Sequence, residues 1–280
     1  MTNFFNSVLV LCFLMVGFTA SSQKPTPQNY VVLLDLSDRL LASGQAGRDQ
    51  ALIMDMFNRF EQDVRRNMII NSRDCFRVVI APQQGVSYDA NLHMAKLFLT
   101  MDGPLTTKRQ RLDAFKVAFP TRLKELYRLA MVGKTKTTDY RGCDIWQYFN
   151  EQLPTDLLPA HLNTLLVLTD GYFDFEKNSH RKQQGNRYSD SQQLMPRLRG
   201  QANWQDILKQ PGFGLLPVPK QFPRMRVWVA EISPKVDHLD ELDILKGIWQ
   251  KWLGEMRIVS VHCLARAPLP KVQLALRQFR

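Results

Sequence analysis

The sequence predicts an α/β fold, a doubly wound and mostly parallel sheet with helices on both faces. Three observations predict it. Short runs of consecutive apolar residues recur along the chain, the pattern of strands buried on both faces. Segments with apolar residues at helical spacing separate those runs. The alternation continues from end to end with no internal repeat, low-complexity tract or composition break, so one domain accounts for it.

Each element follows from its residues. Residues 1–22 contain no Lys, Arg, Asp or Glu, and Phe4 to Ala20 is nearly all apolar. Ala20-Ser21-Ser22 offers small residues for cleavage before Gln23, so this stretch reads as a secretory signal peptide. The rival is an uncleaved anchor, but the run is 17 residues and a span needs about 20. Residues 23–29 (QKPTPQN) form a polar linker, and the domain occupies 30–280. The first strand is Tyr30 to Leu34, closed by Asp35-Leu36-Ser37. Arg48 to Arg66 is a helix with Leu52, Ile53, Met56, Phe57, Phe60 and Val64 on one face. Phe76 to Ala81 is the second strand. Leu92 to Met101 and Lys108 to Met131 read as helices, the latter bent at Pro120. Asp144 to Leu153 is a helix and Thr164 to Thr169 the third strand. Met225 to Ile232 is the fourth strand, His238 to Glu255 a helix, and Arg257 to Leu264 the fifth strand. Pro270 to Phe279 closes the chain as a short helix.

Composition bounds the function. The chain has 280 residues, 45% hydrophobic and 22% charged, with 14 Gly and 15 Pro. That excludes a disordered chain, a collagen-like repeat and a disulfide-dense mini-protein. Cys75, Cys143 and Cys263 follow the leader without a C-x-x-C pair, which leaves no thiol redox motif and no zinc knuckle. The formal charge is +11, and it is uneven. Residues 104–136 hold nine Lys/Arg against two acids; residues 176–224 hold nine against three. The second segment is too long for a simple connection and contains five Pro. It reads as a basic insertion over the sheet, with a helix near Trp204 to Leu208. Export and sparse aromatics disfavour nucleic acid as the partner. An acidic protein or an anionic envelope polymer suits the charge better, and a membrane enters only if the leader stays uncleaved.

The candidate site comes from the strand ends. Ligands of open α/β sheets bind outside the carboxyl ends of the strands, where strand order reverses. Asp35-x-Ser37 follows the first strand and Thr169-Asp170-Gly171 the third. If those strands are neighbours, Asp35, Ser37 and Asp170 share one rim. Such hard oxygens suit Mg²⁺ or another divalent cation. Asp139, Asp144 and Asp174 lie nearby; Asp144 reads as a helix-terminal residue and Asp174 as a solvated loop acid.

These residues resemble a von Willebrand factor A domain, of the type found in secreted and envelope proteins. The resemblance rests on Val31-Val-Leu-Leu-Asp35-Leu-Ser37, Gly142-Cys143-Asp144-Ile145-Trp146 and Leu165-Leu-Val-Leu-Thr169-Asp170-Gly171, and covers Tyr30 to Leu264. It implies a Rossmann-like sheet and a metal-ion-dependent adhesion site. Asp35, Ser37 and Asp170 carry over as metal ligands, with Thr138, Cys143 and Thr169 as weaker candidates. Two positions depart from the pattern: Arg39 replaces the second Ser of the first loop, and Cys143 aligns with the loop Thr. Arg39 could therefore stand between Asp35 and Asp170 in place of a cation.

Other chemistries lack their residues. There is no phosphate-binding glycine loop, no nucleophile elbow and no H-x-x-x-H pair. The haloacid-dehalogenase pattern of two aspartates and a Thr fails at Ser37 and Arg39. The sequence thus points to a non-enzymatic, exported module, periplasmic or secreted, that binds a protein at the carboxyl rim. The alternatives are a metal-free structural component of an envelope or secretion assembly and, third, a metal-dependent hydrolase.

Overall fold

Six consecutive residues of β1 (Gln28–Leu34), from Asn29 to Leu34, pair on both sides with parallel neighbours, and that double pairing organises the molecule. The computed structural model describes residues 26–175, 182–222, 224–258 and 260–278. The leader expected over 1–22 lies outside the described residues. After β1 come α1 (Gln45–Arg66), β2 (Cys75–Ile80), α2 (Ala90–Lys96), β3 (Phe98–Thr100) and α3 (Lys108–Met131). Then α4 (Ile145–Gln147) runs through a π-helical turn, Tyr148–Gln152, into α5 (Leu153–Asp156) and β4 (Leu162–Leu168). The segment that follows holds β5 (Gln183–Gln184), β6 (Asn186–Tyr188), α6 (Ser191–Leu194), α7 (Trp204–Lys209) and β7 (Phe213–Leu215). The chain ends with β8 (Met225–Ile232), α8 (Glu241–Glu255), β9 (Ser260–Ala265) and α9 (Leu269–Gln278). Among the described residues no helix is long and apolar enough to cross a membrane.

The main sheet has six strands in the order β3-β2-β1-β4-β8-β9. All neighbours run parallel except β2 and β3. Alternate side chains of each central strand enter different apolar clusters, because successive residues point to opposite faces. Val31, Leu33, Leu165, Val167, Val227 and Val229 pack with Ile244, Ile248, Trp249 and Trp252 of α8 and with Trp146 and Phe149. Tyr30, Val32, Leu34, Leu166, Leu168 and Trp228 pack with Leu52, Phe57 and Phe60 of α1 and Phe115 and Phe119 of α3. The protein is therefore mixed α/β, with a mostly parallel sheet and helices around it.

Most expected elements stand within a few residues of their expected bounds, and α3 continues through Pro120. One expectation fails. Leu92 to Met101 is not one helix but α2 followed by β3. Asp89 caps α2 by accepting from the Leu92 N–H at 3.0 Å, and the helix stops at Lys96. Leu99 then turns into the core while Phe98 faces out beneath the Arg77 guanidinium, 4.7 Å from its ring centroid. Three residues of alternation are too short to override a helical spacing read from sequence.

The basic insertion packs onto α8. Trp146 Nε1 and Trp252 Nε1 both donate to the Leu216 carbonyl, at 2.7 and 3.0 Å. Lys251 Nζ donates to the carbonyls of Gln210 and Phe213 at 2.6 and 2.8 Å. Among the described residues the three cysteines are free; Cys75 and Cys143 are buried and Cys263 half-buried.

A buried polar network ties the loop after β1 to α1 and β8. Arg39 makes a bidentate pair with Asp49, 2.7 and 3.0 Å, with side-chain exposures of 4% and 0%. Tyr127 Oη and Gln45 Nε2 also donate to Asp49, at 3.1 and 2.9 Å. Gln45 reaches Glu231 Oε2 at 3.2 Å, and Arg48 holds both oxygens of Glu231 at 2.7 and 2.8 Å. Arg39→Met strands the Asp49 charge in the interior, so it is expected to cost about 3–5 kcal/mol of unfolding free energy. Urea denaturation of the variant against the parent measures it; a loss under about 1 kcal/mol, the scale of an exposed pair, sinks this reading.

Candidate functional site

The order of the strands reverses between β1 and β4, and the crevice at their carboxyl ends is where such sheets bind ligands. In register, Leu34 faces Leu168, so the residues that follow both strands emerge side by side. The Asp35 N–H still donates to the Leu168 carbonyl at 3.1 Å. Gly171 turns the chain after Asp170 at φ +100°, and a Cβ there would lie 3.0 Å from Ile232 Cγ2. Gly142, at φ +72°, lies so close to the next loop that a Cβ would sit 2.1 Å from the Asp174 carbonyl oxygen. Only glycine allows that approach, which holds the 137–144 loop against the 171–175 loop.

These loops enclose an open cavity of about 200 Å³ lined by Asp35, Ser37, Asp38, Thr138, Asp170 and Asp174, with Lys235 at its edge. Asp35, Ser37 and Asp170, expected on one rim, are together and buried to 3–5% exposure. Thr138 lines the cavity from its exposed turn. The two weaker candidates stand differently. Thr169 is fully buried, and its hydroxyl donates to Asp35 Oδ2 at 2.8 Å while accepting from the Gly171 N–H at 3.1 Å. Cys143 donates its thiol to Asp35 and accepts from Gln83 Nε2 at 2.9 Å. Burial, and then the neighbouring Asp35 charge, push its thiol pKa well above the ordinary value. Both residues position Asp35 rather than line the cavity.

Arg39 is not between Asp35 and Asp170. Its guanidinium turns to Asp49 and touches the loop only through the Asp35 carbonyl, at 3.2 Å. The exposed Arg141 lines the cavity too, but the positive charge that meets its acids is Lys235, on the loop after β8. Its Nζ lies 2.9 Å from Asp38 Oδ1 and 3.0 Å from Asp170 Oδ2. The Lys235 N–H donates to Tyr172 Oη at 3.0 Å, and Tyr172 in turn donates to Glu241 at 2.6 Å. Burial opposes the ammonium charge, but Asp170 and then Asp38 outweigh it and raise the pKa. Strand-end reasoning applied to Ser233-Pro234-Lys235 after the fourth expected strand would have found this residue.

Asp174 is not a solvated loop acid. Burial raises its pKa, and its Oδ1 accepts from Ser191 Oγ at 2.5 Å. Asp144 caps α4 as expected, accepting from the Gln147 N–H at 2.7 Å. Asp139 accepts from the N–H groups of Thr135 and Lys136 and shapes its own turn. Burial and then Asp35 push Asp170 up to about 6, against the pull of Lys235 and Arg39.

Beside the carboxylates on which the resemblance would place a divalent cation stands the Lys235 ammonium. Asp35 already accepts at both oxygens, from the Ser37 N–H at 3.0 Å and from Thr169. The Asp170 oxygen turned to the rim faces an ammonium. Among the described residues no group of three His, Cys, Asp or Glu side chains is arranged to hold a metal.

Comparison with known proteins adds little. No family model matches the chain, and no curated protein matches it. A crystal structure of proximal thread matrix protein 1 from the mussel byssus aligns at 11% identity and a TM-score of 0.35, over 91% of this chain and 48% of that one. The chain thus spans about half the length of that protein, and a likeness at this level fixes neither fold nor function.

A raised carboxyl pKa makes the folded state bind the proton more tightly than the unfolded state. Asp170 therefore makes stability fall as pH rises from about 4 to about 6. Asp170→Asn removes that dependence. The difference between the two stability–pH curves should span a few kcal/mol, about 1.4 kcal/mol for each tenfold change in proton affinity. Curves that differ by a constant refute the assignment. Titration with Mg²⁺, Mn²⁺ or Ca²⁺ is expected to leave the thermal midpoint of the parent unmoved. A cation held at 100-fold its Kd would add about 2.7 kcal/mol, which a thermal scan resolves.

Proposed function

We propose that this chain is a non-enzymatic von Willebrand A-like binding module that engages a protein partner at the carboxyl rim, with Lys235 as its resident cation. The observation that carries the reading is the convergence of Asp35, Ser37, Thr138 and Asp170 on one open cavity at the β1–β4 reversal. The parallel order around β1 and the apolar clusters on both sheet faces support a doubly wound arrangement of that type. The buried acids are hydrogen-bonded to their own loops, which suits recognition at the rim. The leader at 1–22 supports a role after export, in the periplasm or outside the cell.

A ligand-free scaffold in an envelope or secretion assembly is the second reading. It is favoured by Lys235, which already neutralises part of the rim.

Bulk placed in the cavity separates the two. Cross-linked complexes from an envelope extract are expected to carry a discrete partner with the parent and to lose it with Thr138→Trp. A control at Val117, 81% exposed on α3, should keep it. Retention of the partner by the Thr138 variant would leave the scaffold reading standing.

A further inference from the structure

A larger groove lies at the opposite end of the sheet. On the face covered by α1 and α9, the amino ends of β1, β4 and β8 floor a space of about 580 Å³, against about 200 Å³ at the rim. That volume is within the range of small-molecule sites, about 300–1,000 Å³. Four arginines, Arg59, Arg66, Arg226 and Arg277, line it with two acids, Asp55 and Asp63, so its formal charge is +2. Two of the four have structural roles. Arg66 and Arg277 stand in the last turns of α1 and α9, where the helix dipole favours a cation, and pair with Asp63 and Asp55 at 3.0 and 2.7 Å. The Arg59 guanidinium lies over the Trp228 ring, 5.7 Å from its centroid. Arg226 is different. It is the second residue of β8, a strand paired on both sides, and alternation sends its side chain to the same face as Trp228. It is half-buried, and among the described residues it makes no hydrogen bond or ion pair. A guanidinium withdrawn from water without a counter-charge is costly, and this one lines an open groove.

The groove continues past Arg226. A hollow of about 340 Å³ shares Thr26, Leu162 and Arg226 with it and is edged by Arg224 and His161. A ligand that meets Arg226 can therefore extend to both sides of it. The walls suit hydroxyl groups: Asn58 and Gln62 of α1 present carboxamides, each donor and acceptor at once. We infer that this groove binds an acidic oligosaccharide, with Arg226 pairing a sugar carboxylate and Asn58 and Gln62 meeting its hydroxyls. The planar guanidinium offers parallel N–H donors that match a carboxylate. An extended acidic peptide fits less well, because it would need free backbone groups to pair with, and β1, β4 and β8 are all internal strands. The inference does not rest on the rim, which lies at the other end of the same strands.

The test is isothermal titration calorimetry of the full chain with trigalacturonate. Citrate keeps the charge without the sugar, and maltotriose keeps the sugar without the charge. Trigalacturonate is expected to bind, and each of the other two to bind about tenfold more weakly or not at all. Arg226→Met is expected to weaken trigalacturonate about tenfold, and Arg226→Lys about threefold, since lysine keeps the charge but loses the fork. Lys124→Met removes the same unit of charge from the exposed side of α3, outside the groove, and should leave the affinity unchanged. Without ligand, Arg226→Met should keep or raise the urea midpoint, because no internal partner is left unpaired. A lowered midpoint would give Arg226 a structural role and overturn the inference. It is equally overturned if trigalacturonate does not bind, if citrate or maltotriose binds as tightly, or if Arg226→Met and Lys124→Met have the same effect.

Discussion

The buried pair of Arg39 and Asp49 is the interaction on which the rest of the rim depends. Two charges with almost no exposure are tolerated only because each is satisfied several times over. Asp49 accepts from Arg39 twice, from Tyr127 and from Gln45; Arg39 also reaches the Asp35 carbonyl. The short 3₁₀ turn Asp38–Leu41 is thereby locked onto α1, and Asp35 is fixed at the end of β1. The network continues through Gln45 and Arg48 to Glu231, buried in β8 at φ +72°. A left-handed glutamate inside a strand is costly unless its surroundings over-determine it. Here Gln45 and Arg48 hold its carboxylate, and the register of β8 against β9 shifts at that point. The loop carrying Lys235 leaves the sheet just beyond. One set of buried polar contacts thus sets the first and fourth loops of the rim relative to each other.

Above that network the rim gathers Asp35, Asp38, Asp170, Asp174 and Lys235 around one open cavity. Asp35 has its oxygens taken by Ser37 and Thr169 and acts chiefly through its field. Asp170 keeps an oxygen toward the cavity at the expense of folding at neutral pH, since burial and Asp35 both resist its ionisation. Lys235 offsets part of that cost.

Much of the fold was legible in the sequence, because buried parallel strands leave runs such as Val31 to Leu34 and Leu165 to Leu168 that no helix spacing imitates. The miss at β3 has a local cause: an edge strand of three residues, antiparallel to β2, leaves too little alternation to read. The site was partly legible. Asp35, Ser37 and Asp170 could be placed because strand ends can be placed, and parallel register then brings them together. Lys235 was missed and Asp174 misjudged because their roles depend on which loops touch. Gly142 packs against the Asp174 carbonyl, and Ser191 of the insertion reaches back to the same residue.

The sequence by itself determined the layered α/β class, the order of the strands along the chain and the oxygen-rich loops that follow the first and third expected strands. Those properties are local: periodicity, apolar runs and turn residues act over a few positions. Only the tertiary structure decided where the positive charges go. Arg39 lies four residues from Asp35, yet pairs with Asp49, because α1 presents that carboxylate to it where Gln45 of α1 and Tyr127 of α3 also donate. Lys235 lies 65 residues beyond Asp170 in the chain and still becomes its counter-ion, because β8 lies beside β4. Ion pairs are chosen by distance in space and by desolvation, and neither is written in the spacing of residues along a chain.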